Sequence, residues 1–146
     1  MKKASNKPNA RRLAAELRRM LKRGGSAEHA SGVQWFFKEE IKSHGWYTGA
    51  LRRAARQARR ELEKRYGAAT VFDVAEHLFA GTFLEEKIFG VLLLEGRTGQ
   101  FGEPEFRRLT AWLPRIRSWG DHDGLVHYLI SPMIAAEPGR VKYVFR

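Results

Sequence analysis

The sequence predicts an all-α fold of short helices stacked as antiparallel pairs. Three observations predict it: closely spaced helix start and stop signals, apolar residues recurring at helical spacing, and an almost complete lack of strand signals. Four capping boxes, each a Ser or Thr followed three residues later by an acid or glutamine, mark helix starts. They are Ser31–Gln34, Thr70–Asp73, Thr82–Glu85 and Ser118–Asp121. Asn9 can cap a further start, and Pro104 suits a first helical position. Glycines fall where helices should stop, at Gly24–Gly25, Gly45, Gly67, Gly81, Gly96 and Gly139. No stretch alternates with a period of two.

These marks delimit helices near 9–23, 31–43, 48–66, 70–80, 82–95, 103–114 and 118–136, with another starting near 140. In the helix at 48–66, Leu51, Ala54, Ala55, Ala58 and Leu62 share one face, and Arg52, Arg53, Arg56, Arg59 and Arg60 fill the rest. In the helix at 82–95 the apolar surface extends around the cylinder through Phe89 and Leu93, which predicts a central position. Short connections and helices of similar length suggest a HEAT-like helical array. Trp35, Phe36 and Phe37 cannot all face inward on one helix; two are expected in the core and one outside. Val141 to Arg146 begins an amphipathic helix that stops within two turns. A single domain over 1–146 is therefore expected to be incomplete at its C-terminal end, with 1–8 as a flexible basic tail. Val141, Val144 and Phe145 would form an exposed edge suited to self-association.

Composition narrows the functional classes. The chain has 146 residues and no cysteine, so disulfides and thiolate metal sites are excluded. Its longest nearly apolar run, Ile88 to Leu94, is far shorter than the ~20 residues a membrane helix needs. No apolar segment follows the basic N-terminus, and a cytoplasmic location is expected. His29, His44, His77, His122 and His127 show no metal-ligand spacing, so no metal site is expected. Charge is the most informative property. Residues 1–66 hold 18 Lys and Arg against 6 Asp and Glu, whereas residues 67–146 hold 9 against 10, for a net charge of +11 overall. So one-sided a field recruits polyanions, with nucleic acid the leading partner, an anionic membrane surface second and a merely solvated face third.

One segment carries candidate chemistry: Ser118-Trp119-Gly120-Asp121-His122-Asp123. With Ser118 as N-cap, Asp121 returns a hydrogen bond to it and has a structural duty, worth about 1 kcal/mol. Asp123 has no such duty, and it lies four residues after Trp119, on the same helix face. An indole there can pack against a sugar or base, and a carboxylate can stabilise positive charge developing on a sugar. The alternative is that Trp119 is core and Asp123 only complements a helix N-terminus.

Three segments together resemble the AlkD-type DNA alkylation repair family, DNA glycosylases built from HEAT-like repeats. The first runs from Trp35-Phe36-Phe37-Lys38 through Gly45 and Thr48 to Leu51-Arg52-Arg53; the second is Phe83-Leu84-Glu85-Glu86-Lys87-Ile88. The third is Trp119-Gly120-Asp121-His122-Asp123, which matches the family's Trp-x-x-x-Asp motif. The resemblance implies that Asp123 is the catalytic carboxylate and that Trp119 contacts the sugar of the damaged nucleotide. It implies that Lys38, Arg52, Arg53 and Arg56 contact the DNA backbone. The implied substrate is double-stranded DNA bearing a purine made cationic by alkylation at N3 or N7, and no cofactor is implied. It also implies action without a tight base pocket. Two other readings remain at this point: a non-catalytic nucleic-acid-binding module and a structural domain whose basic face meets an acidic protein.

Overall fold

A computed structural model describes residues 8–145. Among these the chain forms eight α-helices and no strand: α1 (Ala10–Gly24), α2 (Ala27–Gln34), α3 (Thr48–Tyr66), α4 (Ala68–Phe79), α5 (Leu84–Leu94), α6 (Glu103–Thr110), α7 (Trp119–Leu125) and α8 (Ser131–Ala136). A π-helical turn, Val126–Ile130, joins α7 to α8, and Pro138–Tyr143 form a 3-10 turn. The predicted all-α class therefore holds, and none of these helices is long and apolar enough to cross a membrane. The proposed tail at 1–8 lies, but for Pro8, outside the described residues.

Helix α5 is the hub, packing against α4, α3, α7 and α1. Phe89, Val91, Leu92, Leu93 and Leu94 are all buried, as the continuous apolar surface of this segment predicts. The stripe on α3 turns inward through Leu51, Ala55, Ala58 and Leu62. Its small alanines let α3 approach α4 and α5. Phe79, Phe89, Phe106 and Trp112 are the largest fully buried side chains and tie α4, α5 and α6 into one core. At ~25 cal/mol per Å² of apolar surface, aromatic groups of this size contribute most to holding the elements together.

Local cap chemistry is read correctly at two places. Asn9 accepts the Arg12 N–H at 3.1 Å. At α6 Pro104 stands second and not first, and Glu105, which the sequence reading did not name, accepts the Gly102 N–H at 2.9 Å. Ser118 and Asp121 form a capping box at α7. The other three boxes do not start helices. Ser31 lies inside α2, which begins four residues earlier at Ala27 with Ser26 as its cap. Thr70 lies inside α4, and the expected acid of Thr82, Glu85, is engaged elsewhere. It is Glu86 that accepts the Thr82 N–H, at 3.1 Å.

The largest correction concerns 31–43. Helix α2 ends at Gln34, and the following segment to Tyr47 is irregular. The Gln34 side chain folds this turn by donating to the Glu39 carbonyl at 2.7 Å and accepting the Ile41 N–H at 2.8 Å. Of the three aromatics, Trp35 and Phe36 are both exposed, at 90% and 75%, so only Phe37 is partly covered. The end of the chain departs too: Pro138–Tyr143 is a 3-10 turn rather than an α-helix. Val141 and Phe145 are exposed, as expected, while Val144 is partly buried against the core.

Two carboxylates make this packing acid-sensitive. The Arg97 guanidinium bonds Glu63 at 2.8 and 3.3 Å and holds its pKa below the ordinary 4.5, against a smaller opposing effect of burial. Burial pushes Glu76 up, but bonds from Arg108 and Trp112 outweigh it and leave that group lowered as well. Stability from a depressed carboxylate is fully present above the unfolded value and is lost as pH falls through the folded one. The melting temperature is therefore expected to fall once pH drops below about 4.5. Arg97→Met should lower the melting temperature at neutral pH and flatten the part of that acid dependence due to Glu63.

Candidate active site

Helix α7 positions the candidate residues, and its start is over-determined. Ser118 is extended (φ −150°, ψ 170°) and buried. Asp121, with no exposed surface, accepts the Arg117 N–H at 2.9 Å, the Ser118 N–H at 2.8 Å and the Ser118 hydroxyl at 2.7 Å. Lys87 of α5 approaches the same carboxylate at 4.0 Å and donates to the carbonyls of Phe79 and Arg115, each at 2.7 Å. Burial lowers the Lys87 pKa, and Asp121 opposes that shift. One buried lysine thus fixes the end of α4, the approach to α7 and the α7 cap together.

From this start Trp119 and Asp123 project one helical turn apart. Trp119 is not core: it is 52% exposed. Its indole stacks on Phe37, with centroids 4.8 Å apart and planes inclined by 17°, and donates from Nε1 to the Phe36 carbonyl at 3.1 Å. The stacking plane is thereby fixed while about half of the side chain's surface remains exposed. Asp123 is exposed and accepts from His122 Nδ1 at 3.0 Å when that nitrogen carries the proton.

Trp119 and Asp123 both line a cavity of about 550 Å³ between the α2–α3 segment, α3, α5 and α7. Phe37, Trp46, Ile88 and Val91 give it apolar walls. Glu85, buried at the first turn of α5, holds the wall formed by the α2–α3 segment. It accepts the N–H groups of His44, Gly45 and Trp46 at 2.9, 3.0 and 3.4 Å and the Ser43 hydroxyl at 2.5 Å. Gly45 has φ +77°, and a Cβ there would fall 1.8 Å from the Ser26 carbonyl oxygen, so the turn requires glycine twice over. The π turn after α7 brings His127 and Tyr128 to the same cavity. Such turns often occur at functional sites.

The predicted backbone-contacting cations separate into two kinds. Lys38, Arg53 and Arg56 are exposed. Arg52 instead lines the cavity and is committed to neighbours: Glu95 at 3.1 Å and the Tyr128 hydroxyl at 2.6 Å. Burial lowers its pKa, but these partners outweigh that and hold the group above its ordinary value. Arg59 is likewise engaged, donating to the Glu95 carbonyl at 2.7 Å at the end of α5. Arg52→Ala is therefore expected to lower stability by about 1 kcal/mol, within the range of partly exposed ion pairs. Arg53→Ala and Arg56→Ala should stay within about 0.5 kcal/mol of the parent. Urea melts of the three variants check the ranking.

Sequence reasoning did not find Phe37 as the platform for Trp119, nor the Glu85 anchor, the Lys87–Asp121 pair or the Arg52–Tyr128–Glu95 group. Only the apolar-face position of a lysine, Lys87, carried a signal. Residues 17–146 match the model of a protein family described as DNA alkylation repair enzyme. No individual curated protein and no solved structure matches the chain.

Proposed function

Because the chain belongs to the DNA alkylation repair enzyme family, we propose that it is a DNA glycosylase acting on purines made cationic by alkylation at N3 or N7. One observation carries the reading: Trp119 and Asp123 open onto the same cavity beside the arginine-bearing face of α3. In the reaction the bond between C1′ and the base nitrogen breaks, and its electron pair neutralises the cationic purine. No acid is needed to protonate so good a leaving group. Asp123 stabilises the positive charge developing on the sugar and accepts a proton from the water that adds to C1′. The products are the free base and an abasic site. Trp119 offers its open face to the deoxyribose, and Arg53, Arg56 and Lys38 meet phosphates. The helices stack as a HEAT-like array whose α3 and α7 face the duplex.

The exposure of Asp123 favours a second reading, a non-catalytic DNA-binding module, because an open carboxylate is weakened by solvent. Two measurements separate the readings from each other and from a protein-interaction domain. If about 4–6 phosphates are neutralised, log K for duplex binding falls with log salt at a slope near −4 to −5, and Arg53→Ala with Arg56→Ala flattens it. A slope near zero rejects DNA as the partner. With binding confirmed, free 7-methylguanine should be released from duplexes carrying it faster than without protein, and no base from matched duplexes carrying an uncharged purine. Binding without base release assigns the non-catalytic module.

A further inference from the structure

Among the described residues seven large apolar side chains are exposed, and four of them are aromatics gathered in one place. Trp35, Phe36 and Tyr47 belong to the segment between α2 and α3, and Trp119 packs directly on it. The Phe36 carbonyl accepts the Trp119 indole N–H, and Trp35 is the residue that caps the C-terminal end of α2. Tyr47, 65% exposed, stacks on His29 with ring centroids 3.9 Å apart. The backbone that carries these rings is tied down at both ends, by the Gln34 side chain near Glu39 and Ile41 and by Glu85 at His44 to Trp46. Large aromatic surface is thus left in water on an anchored segment, where burial would otherwise be favourable.

We infer that this aromatic rim binds single-stranded DNA, stacking unpaired bases on Trp35 and Phe36. The inference rests on DNA as the partner in the reading above and not on its hydrolysis. An exposed ring gains most from another flat ring. Bases in a paired duplex are covered on both faces by their neighbours, so only unpaired bases offer a free one. Charge divides the labour in the same way. On the rim segment Lys38 and Lys42 are offset by Glu39 and Glu40, all four exposed, which leaves its rings as the main means of contact. Helix α3, which begins where the segment ends, exposes Arg53, Arg56, Arg60, Lys64 and Arg65 against one exposed acid, Glu61. Bases on aromatic platforms beside a basic track for the phosphates is the arrangement that single strands require. The bases remain outside the cavity, and the duplex reaction is left as it stands.

Trp35→Ala combined with Phe36→Ala tests the assignment. Both side chains are exposed, so the variant should melt with the parent. Its affinity for a short oligothymidine should fall by roughly tenfold or more at every salt concentration, while its affinity for a duplex of the same length stays within about twofold of the parent's. The plot of log K against log salt should remain parallel to the parent's, because stacking releases no counterions. Trp35→Phe combined with Phe36→Tyr keeps both rings and should retain single-strand binding. Unchanged single-strand affinity in the alanine variant overturns the rim. A flatter salt slope, an equal loss on the duplex, or a loss in the ring-keeping variant overturns stacking as its basis. A parent that binds duplex but not single strands overturns the inference and leaves the glycosylase reading standing. A parent that binds neither overturns both.

Discussion

Asp121→Asn is expected to cost about 3–5 kcal/mol of stability, whereas Asp123→Asn, two residues away, should cost less than about 0.5 kcal/mol. The difference follows from what each carboxylate touches. Both oxygens of Asp121 accept hydrogen bonds, one from Arg117 N–H and the other from Ser118 N–H and hydroxyl. An amide must place an NH2 group against one of those donors. The change also removes the counter-charge nearest buried Lys87, whose ammonium otherwise donates, among the described residues, to the carbonyls of Phe79 and Arg115. Breaking such a buried pair costs far more than the roughly 1 kcal/mol expected of an N-cap partner. In a protein of this size the melting temperature should fall by about 10 °C. Equal melting temperatures for the two variants would mean that Asp121 is no more than a local cap.

Asp123→Asn should instead slow base release by about 10²–10³ while the protein remains folded. The substitution keeps the size of the side chain and its place on α7, and it removes the negative charge proposed to face the sugar. Because the leaving base is already cationic, the reaction has little need of a general acid. In the proposed mechanism, loss of the carboxylate therefore removes the main electrostatic contribution of the protein. Single-turnover rates on a duplex with one 7-methylguanine, alongside melting curves, separate this effect from misfolding. A rate within threefold of the parent would remove Asp123 from the reaction. Trp119→Ala should weaken discrimination between damaged and undamaged duplex, since its indole is pre-oriented by Phe37 and the Phe36 carbonyl.

What could be read from the chain and what could not divide along sequence distance. The α3 stripe of Leu51, Ala55, Ala58 and Leu62 was legible because helical spacing alone encodes it. So was the Ser118–Asp121 cap, which is complete within four residues. The segment from Trp35 to Ser43 was misread as helix because side-chain contacts set its conformation: Gln34 bonds the backbone of Glu39 and Ile41, and Glu85, some forty residues away, takes the Ser43 hydroxyl and the backbone N–H groups of His44 to Trp46. Its position three residues after Thr82 made it look like a capping acid, a duty that Glu86 performs. Arg52 shows the same limit at the site. Its place among five arginines suggested phosphate contact, while its partners Glu95 and Tyr128 lie 43 and 76 positions further on. The Trp119–Asp123 pair was visible as a spacing; the cavity it opens onto depends on four elements meeting, which no local pattern reveals.

The most direct test of hydrolytic action at this site is a stoichiometric one. A duplex with a single 7-methylguanine is incubated with excess protein, and the free base and the abasic strand are quantified together. The account predicts equal yields of 7-methylguanine and abasic site, with neither formed from the unmethylated duplex. An intact methylated strand after prolonged incubation with folded, DNA-bound protein would contradict it.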